Sequence, residues 1–160
     1  MTEQKTNVMR ILEQNNIAYT PHAYAHGKEA VDGLTVSTLT GIPPQRLFKT
    51  LVARGAGKSI YVFVIPAAME LELKKAAKAV GEKSIAMVHV SEINALTGYI
   101  RGGCSPISMK KQYKTVFHSS AESFDTIAVS AGKIGVMVEL SPRDLISITH
   151  GTTADIAAEV

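Results

Sequence analysis

Two runs rich in β-branched and aromatic residues, "LFKTLVARG" and "SIYVFVIP", stand either side of the tripeptide "AGK". That pattern predicts a β-hairpin: two adjacent antiparallel strands joined by a short glycine-containing turn. No other pair of segments in the chain limits its folding so tightly.

Helices and further strands surround the hairpin. Val8, Ile11 and Leu12 share one helical face behind Thr6, a hydroxyl placed to cap the start, so residues 6–16 read as a short amphipathic helix. "IAYTPHAYAH" reads as extended structure, because Pro21 holds its predecessor out of the helical region. A short helix from Val36 to Gly41 precedes Pro43 and Pro44, and "LKKAAKAVG" forms another, closed by Gly81. "SIAMVHV" follows as a strand, and Ser91 caps one or two turns that end at Gly98. "KTVFHSS", "DTIAVSAG" and "GVMVEL" are strand candidates. "SPRDL" then opens a last helix with Ser141 as cap, Pro142 at the first position and Asp144 at the third. The interleaving is irregular, with no βαβ rhythm and no internal repeat. It predicts an α+β domain built on a curved, partly closed, barrel-like mixed sheet flanked by helices.

At 160 residues the chain is expected to form one domain, residues 1–160, with its own core. No run is long and apolar enough to span a bilayer, and "MTEQKTNVMRILEQNN" is too polar for a signal-peptide core, so a cytoplasmic protein with no membrane association is expected. The one cysteine excludes an internal disulfide, and no Cys/His cluster has zinc-ligand spacing; neither a metal nor another cofactor is expected. The net charge of +3 gathers in Lys74, Lys75, Lys78 and Lys83 and again in Lys110, Lys111 and Lys114. Solvated helix faces and a phosphate-binding surface both account for such clusters.

The chemistry concentrates in "GYIRGGCSPIS", residues 98–108. Gly102 and Gly103 let a ligand approach the backbone closely, and consecutive amides in such a turn make a concave anion site or an oxyanion hole. A plain tight turn uses the same residues. Here a helix end fixes the entry and Pro106 the exit. Cys104 is either a nucleophile, which needs a base from among His22, His26, His89, His118 and His150, or a small packed thiol. Lys49, between Phe48 and Thr50 in an apolar strand, points to solvent at a sheet edge or inward to a site, where Ser105 would complete a Ser–Lys pair.

"RLFKTLV", "GYIRGGCSPI", "VSAGKIG" and "ELSPRDL", with the early "HAYAH", resemble the YbaK/EbsC-type Cys-tRNA(Pro) deacylases, free-standing relatives of the editing domain inserted in bacterial prolyl-tRNA synthetases. The resemblance runs from about residue 5 to residue 156. It implies that fold, an aminoacylated tRNA 3′ end as substrate and prolyl-tRNA synthetase as a partner. It also implies roles: Lys49 as the site lysine with Thr50 beside it, and Gly98, Gly102 and Gly103 on the loop that binds the ester carbonyl and terminal adenosine, closed by Pro106. Tyr24 falls on the pocket tyrosine and Ser130 on the serine of the family's "VSGGK"; Ser105 joins the substrate-binding group. Close members read "GLDIEL" where this chain has "GVMVEL", so Met137 replaces an acidic pocket residue, and Ala131 replaces a glycine.

The implied reaction is trans-editing of Cys-tRNA(Pro), and of Cys-tRNA(Cys), in which the substrate's own thiol attacks the ester. An editing deacylase that prefers alanine or serine, and a non-catalytic RNA- or nucleotide-binding module, are the alternatives.

Overall fold

The structure is a computed structural model describing residues 5–159. The hairpin forms as expected. β2 (Phe48–Gly55) and β3 (Ile60–Pro66) pair antiparallel in unbroken register from Phe48 opposite Pro66 to Arg54 opposite Ile60. β5 (Ile85–Met87) adds to the free side of β2, while β6 (Lys114–His118) and β9 (Thr152–Ala154) extend the sheet beyond β3 in parallel, giving the order β5-β2-β3-β6-β9. A second, antiparallel sheet has the order β1-β8-β7, from Tyr19–Ala23, Val136–Leu140 and Ile127–Ser130. β4 (Met69–Leu71) and β10 (Ala157–Glu159) make a small third ribbon.

The expected barrel-like closure does not occur. The two larger sheets meet at a single bridge, Leu47 with Ala128, where the Ala128 amide donates to the Arg46 carbonyl at 2.8 Å. β1 pairs only with β8, β5 only with β2 and β9 only with β6, so edges stay open among the described residues. Pro21 lies within β1 and has no N–H to donate, which suits an edge strand.

Five α-helices are present among the described residues: α1 (Asn7–Gln14), α2 (Gly33–Thr40), α3 (Leu73–Val80), α4 (Val90–Thr97) and α5 (Pro142–Ile148). Thr6 caps α1, its hydroxyl accepting from the Met9 amide at 3.2 Å. α2, α3 and α4 end at Gly41, Gly81 and Gly98, with φ of 77°, 74° and 85°, a left-handed geometry in which glycine carries no Cβ penalty. α4 begins one residue before the expected Ser91 cap, because the Glu92 carboxylate accepts from the His89 amide at 3.1 Å and secures that turn. Ser141 makes no side-chain cap bond, and Pro142 opens α5. None of the described helices is long and apolar enough to cross a membrane.

Strand alternation sorts the core. Phe48, Val62 and Val64 face a cluster with Ile127, Val129 and Val138, sealed by Val8 and Leu12 of α1 and Leu145 of α5. Ala53, Phe63 and Ile65 face the other way, against Ala76 and Ala77 of α3. Phe48, Phe63 and Phe117 are fully buried, each contributing about 1.5–3 kcal/mol of transfer free energy. β2, covered on both faces, is therefore a rigid base for Lys49.

Candidate functional site

Lys49 opposes Ile65 and shares its face of β2 with Leu51 and Ala53. It is half-buried, and its Nζ donates to the Ala67 carbonyl at 3.4 Å. Burial lowers its pKa from the usual lysine value, with the Glu70 carboxylate opposing that shift. Ala67 belongs to an apolar cluster with Tyr24, Val36, Leu47, Ala128 and Met137. The expected tyrosine, the lysine's hydrogen-bond acceptor and the substituted Met137 thus share one floor. Ser130 pairs with Met137 across β7 and β8, and its hydroxyl accepts from the Gly132 amide at 3.3 Å, bracing its own loop. Thr50 departs from expectation. The register is unbroken, so alternation turns it away from Lys49, onto the face of Phe48 and Val52, where its hydroxyl is buried without a partner.

The glycine loop follows α4. Gly102 has φ 86°, and a Cβ there would stand 2.7 Å from the Ala30 Cβ, while one on Gly103 would stand 2.8 Å from the Lys133 Cα. Both positions exclude a side chain because other backbone lies against them. The expected pair of free consecutive amides is only half present: the Gly103 amide donates to the Ile100 carbonyl at 3.0 Å, whereas no such bond takes the Gly102 amide. Ser105 is fully buried, its hydroxyl accepting from the Ile107 amide at 3.2 Å. Cys104 packs beside Val52 and Val88, and burial pushes its thiol up to about 11, against a weaker opposing hydrogen bond with Thr97. Neither side chain is presented as a nucleophile. Pro106 is buried and lines a small cavity of about 90 Å³ with Met109 and Tyr113.

Lys49 and the glycine loop are linked through a strap, residues 24–33. Its Tyr24 amide donates to the Gly135 carbonyl at 2.9 Å, and the His26 ring covers Gly135. Further on, Ala30 lies against Gly102 and Gly33 against Ala67. The strap therefore contacts both halves of the site. Neither the small cavity at Pro106 nor a larger one at Pro66 contains Lys49 together with Gly102 or Gly103.

Comparison with known proteins gives the family of the chain. Residues 29–148 match the model of the aminoacyl-tRNA editing domain. The chain is also 44% identical over 158 residues, 99% of its length and 96% of the relative's, to EbsC of Enterococcus faecalis, named as a candidate Cys-tRNA(Pro)/Cys-tRNA(Cys) deacylase. This chain belongs to the aminoacyl-tRNA editing domain family. The editing-domain fold recurs in the crystal structure of a candidate trans-editing enzyme for prolyl-tRNA synthetase, at a TM-score of 0.80 and 18% identity over 98% of this chain and 99% of that one. A hypothetical protein of solved structure gives 0.84 at 20% identity, over 94% and 99%.

Beside the candidate site residues lies a charged network that sequence reasoning missed. Glu139 on β8 accepts from the Thr126 hydroxyl, from Arg46 at 2.8 Å, and pairs with His22 at 2.8 Å. The Thr126 hydrogen bond is the largest cause of a carboxyl pKa lowered to about 2, with Arg46 and His22 adding to it against burial. Arg46 lies just ahead of Lys49 and His22 just ahead of Tyr24, so one carboxylate ties the approaches to both. The available signal was a lone acidic residue inside the apolar "GVMVEL" run. Among the described residues, no three of His, Cys, Asp or Glu converge on a metal-binding point.

Proposed function

We propose that this editing domain is a free-standing aminoacyl-tRNA deacylase that removes cysteine from Cys-tRNA(Pro), with Cys-tRNA(Cys) as a second substrate. The whole chain acts as one domain in the cytoplasm. The whole-length relationship to EbsC supports the substrate class. One observation supports the chemistry most directly: the two protein nucleophiles nearest the loop are withdrawn, Cys104 as a buried neutral thiol and Ser105 as a buried turn hydroxyl.

A reaction without a protein nucleophile suits an ester whose acyl group carries its own. The cysteinyl sulfur attacks the ester carbonyl, the bond from that carbon to the ribose oxygen breaks, and the thiol proton ends on the ribose hydroxyl. Cysteine leaves as a four-membered thiolactone. Holding sulfur and carbonyl together supplies about 7–11 kcal/mol. The Gly102 amide faces the developing oxyanion, an interaction whose removal typically costs about 3–4 kcal/mol. Lys49 orients the terminal phosphate or ribose, Tyr24 and Met137 line the acyl pocket, and the lysine clusters attract the acceptor stem in a salt-sensitive way. Choice among tRNAs comes from a complex with prolyl-tRNA synthetase.

Deacylation of tRNA(Pro) charged with Cys, Ala, Pro or Ser tests this reading. Cys is released rapidly and the other three are spared; Lys49→Ala lowers Cys release by about 10²-fold or more, as expected when one electrostatic stabiliser is removed from a site of this kind. Rapid Ser release, or undiminished activity in Lys49→Ala, would contradict it.

A further inference from the structure

A cavity of about 420 Å³ lies outside these assignments, opening where β3 and β6 end, beside the β4–β10 ribbon. That volume is within the range of small-molecule sites. Pro66, Ala68, Met69 and Phe124 give it an apolar wall; His118, Ser120, Gln45 and Glu159 give it polar edges.

Its polar groups are prepared for a ligand. The Nδ1 of His118 accepts from the Ile156 amide at 3.2 Å, so that nitrogen carries no proton and the neutral ring carries its proton on Nε2. Burial lowers the pKa of His118, with Asp155 opposing the shift, which keeps the ring neutral. Asp155 lies 4.0 Å from Nδ1 but is itself paired with Lys75 at 2.9 Å. His118 therefore offers a fixed N–H donor. Two residues on, the Ser120 hydroxyl is buried with no hydrogen-bond partner. Gln45 adds an amide and Glu159 a carboxylate acceptor.

We infer that this cleft binds a nucleobase of the single-stranded tRNA 3′ end, one of the nucleotides preceding the terminal adenosine. An apolar wall that includes the aromatic Phe124 suits stacking, and an N–H donor and a carboxylate acceptor on its edge match the ring acceptor and exocyclic amine of cytosine or adenine. Position favours the RNA strand over a free nucleotide. β2 runs antiparallel to β3, so Lys49 lies at the same end of the sheet, opposite Ile65. Pro66 and Ala68, which line the cleft, flank Ala67, whose carbonyl receives the Lys49 ammonium. A strand whose last nucleotide lies at Lys49 has its preceding bases within reach. This inference rests on the deacylase reading for its ligand, but it is tested by binding alone.

The experiment measures anisotropy of an uncharged acceptor-stem hairpin with a native 3′ end, and of hairpins abasic at either of the two nucleotides before the terminal adenosine. Wild type is compared with Ala68→Leu, which fills the cleft, and with Glu159→Gln, an exposed isosteric change that leaves the fold intact. One abasic hairpin binds wild type at least about tenfold more weakly, the cost of removing one base stack together with its edge hydrogen bonds. Against Ala68→Leu the native and abasic hairpins bind alike, and Glu159→Gln narrows the difference between them. Equal binding of all hairpins to wild type overturns the inference. So does an abasic effect unchanged in both variants, and so does binding of free CMP or AMP that Ala68→Leu abolishes while the hairpins stay indistinguishable. Failure of the deacylation panel with a positive result here would sink the reaction and leave the cleft standing.

Discussion

Replacing Gly98, Gly102 and Gly103 singly by alanine separates two costs that the glycine loop combines. Gly98 has φ 85° and open space, the nearest atom to an added Cβ being the Lys110 Cβ at 3.8 Å, so alanine there meets backbone strain alone. A left-handed alanine costs about 1–2 kcal/mol, and stiffening of the unfolded chain returns about 0.4–1, leaving a net loss near 1 kcal/mol. Gly103 lies outside the left-handed range, but its Cβ would stand 2.8 Å from the Lys133 Cα, backbone that cannot rotate aside. Overpacking of this kind costs about 1–3 kcal/mol. Gly102 carries both penalties, with φ 86° and separations of 2.7 and 2.9 Å to the Ala30 Cβ and Cα, so the sum is about 2–4 kcal/mol. Urea unfolding followed by circular dichroism, with m held constant, reads the order Gly98→Ala mildest, Gly103→Ala intermediate, Gly102→Ala worst. Thermal midpoints follow at about 2–4 °C per kcal/mol for a chain of this size. Gly102→Ala moves the amide assigned to the oxyanion, so its turnover falls by more than that of Gly98→Ala under conditions where both remain folded. Equal stability of Gly102→Ala and Gly98→Ala would refute the close packing of the strap on the loop.

The other expectations concern charge and reactivity. The folded pKa of Glu139 is below its ordinary value, so its stabilisation is complete above about pH 4.5 and disappears as pH falls toward about 2. Urea midpoints should place Glu139→Gln about 2–3 kcal/mol below wild type at pH 7, and the gap should shrink to less than about 1 kcal/mol by pH 2.5. Burial favours the neutral form of Lys49, so its proton is lost below the ordinary lysine value; turnover corrected for spontaneous hydrolysis declines there, and Lys49→Arg, if active, shifts that decline upward. Cys104→Ala keeps near-wild-type turnover, and iodoacetamide labels wild type at neutral pH far more slowly than an ordinary thiol, because the thiol is neutral and enclosed. Uncleaved Ala-tRNA(Pro) competes with Cys-tRNA(Pro) at a cost within about 10–200-fold, the limit of discrimination in an apolar pocket.

Local chemistry made much of the fold legible. The Phe48–Gly55 and Ile60–Pro66 strands carry side chains suited to a sheet, and Gly41, Gly81 and Gly98 stand where the chain turns left-handed. β9, β10 and β4 were not legible, because three-residue strands such as Ala157–Glu159 have no periodicity and exist only through a distant partner. Closure was over-read for the same reason: whether edge strands meet depends on pairing, which local pattern does not contain. At the site, the glycine loop and Lys49 stood out as residue types, but the strap contacts at Ala30 and Gly33 that link them are non-local and left no trace. The direction of Thr50 was available from alternation along its strand, and the resemblance to a family motif overrode it. Sequence offered His118 only as one of five candidate bases for Cys104 and did not single out Ser120, since a donor fixed by the Ile156 amide becomes visible only when residue 118 meets residue 156.

Met137 sharpens the question of how such a site would choose its substrate. It is 5% exposed on a floor with Tyr24, Leu47, Ala67 and Ala128, so under the proposed function the acyl group would meet a surface with almost nothing polar. A site of that kind separates cysteine from alanine or proline by about 1–3 kcal/mol at most, too little for a proofreading step that must spare correctly charged tRNA. The proposed reaction places selection elsewhere. Every acyl group that enters meets the same amide and the same lysine, but only one carries a soft nucleophile within reach of its own ester. Binding can then be permissive while turnover is strict, and the exchange of a carboxylate for Met137 alters affinity without altering which ester can break. The withdrawal of Cys104 and Ser105 serves the same end, because a competent protein nucleophile beside the loop would cleave any aminoacyl ester the floor admitted.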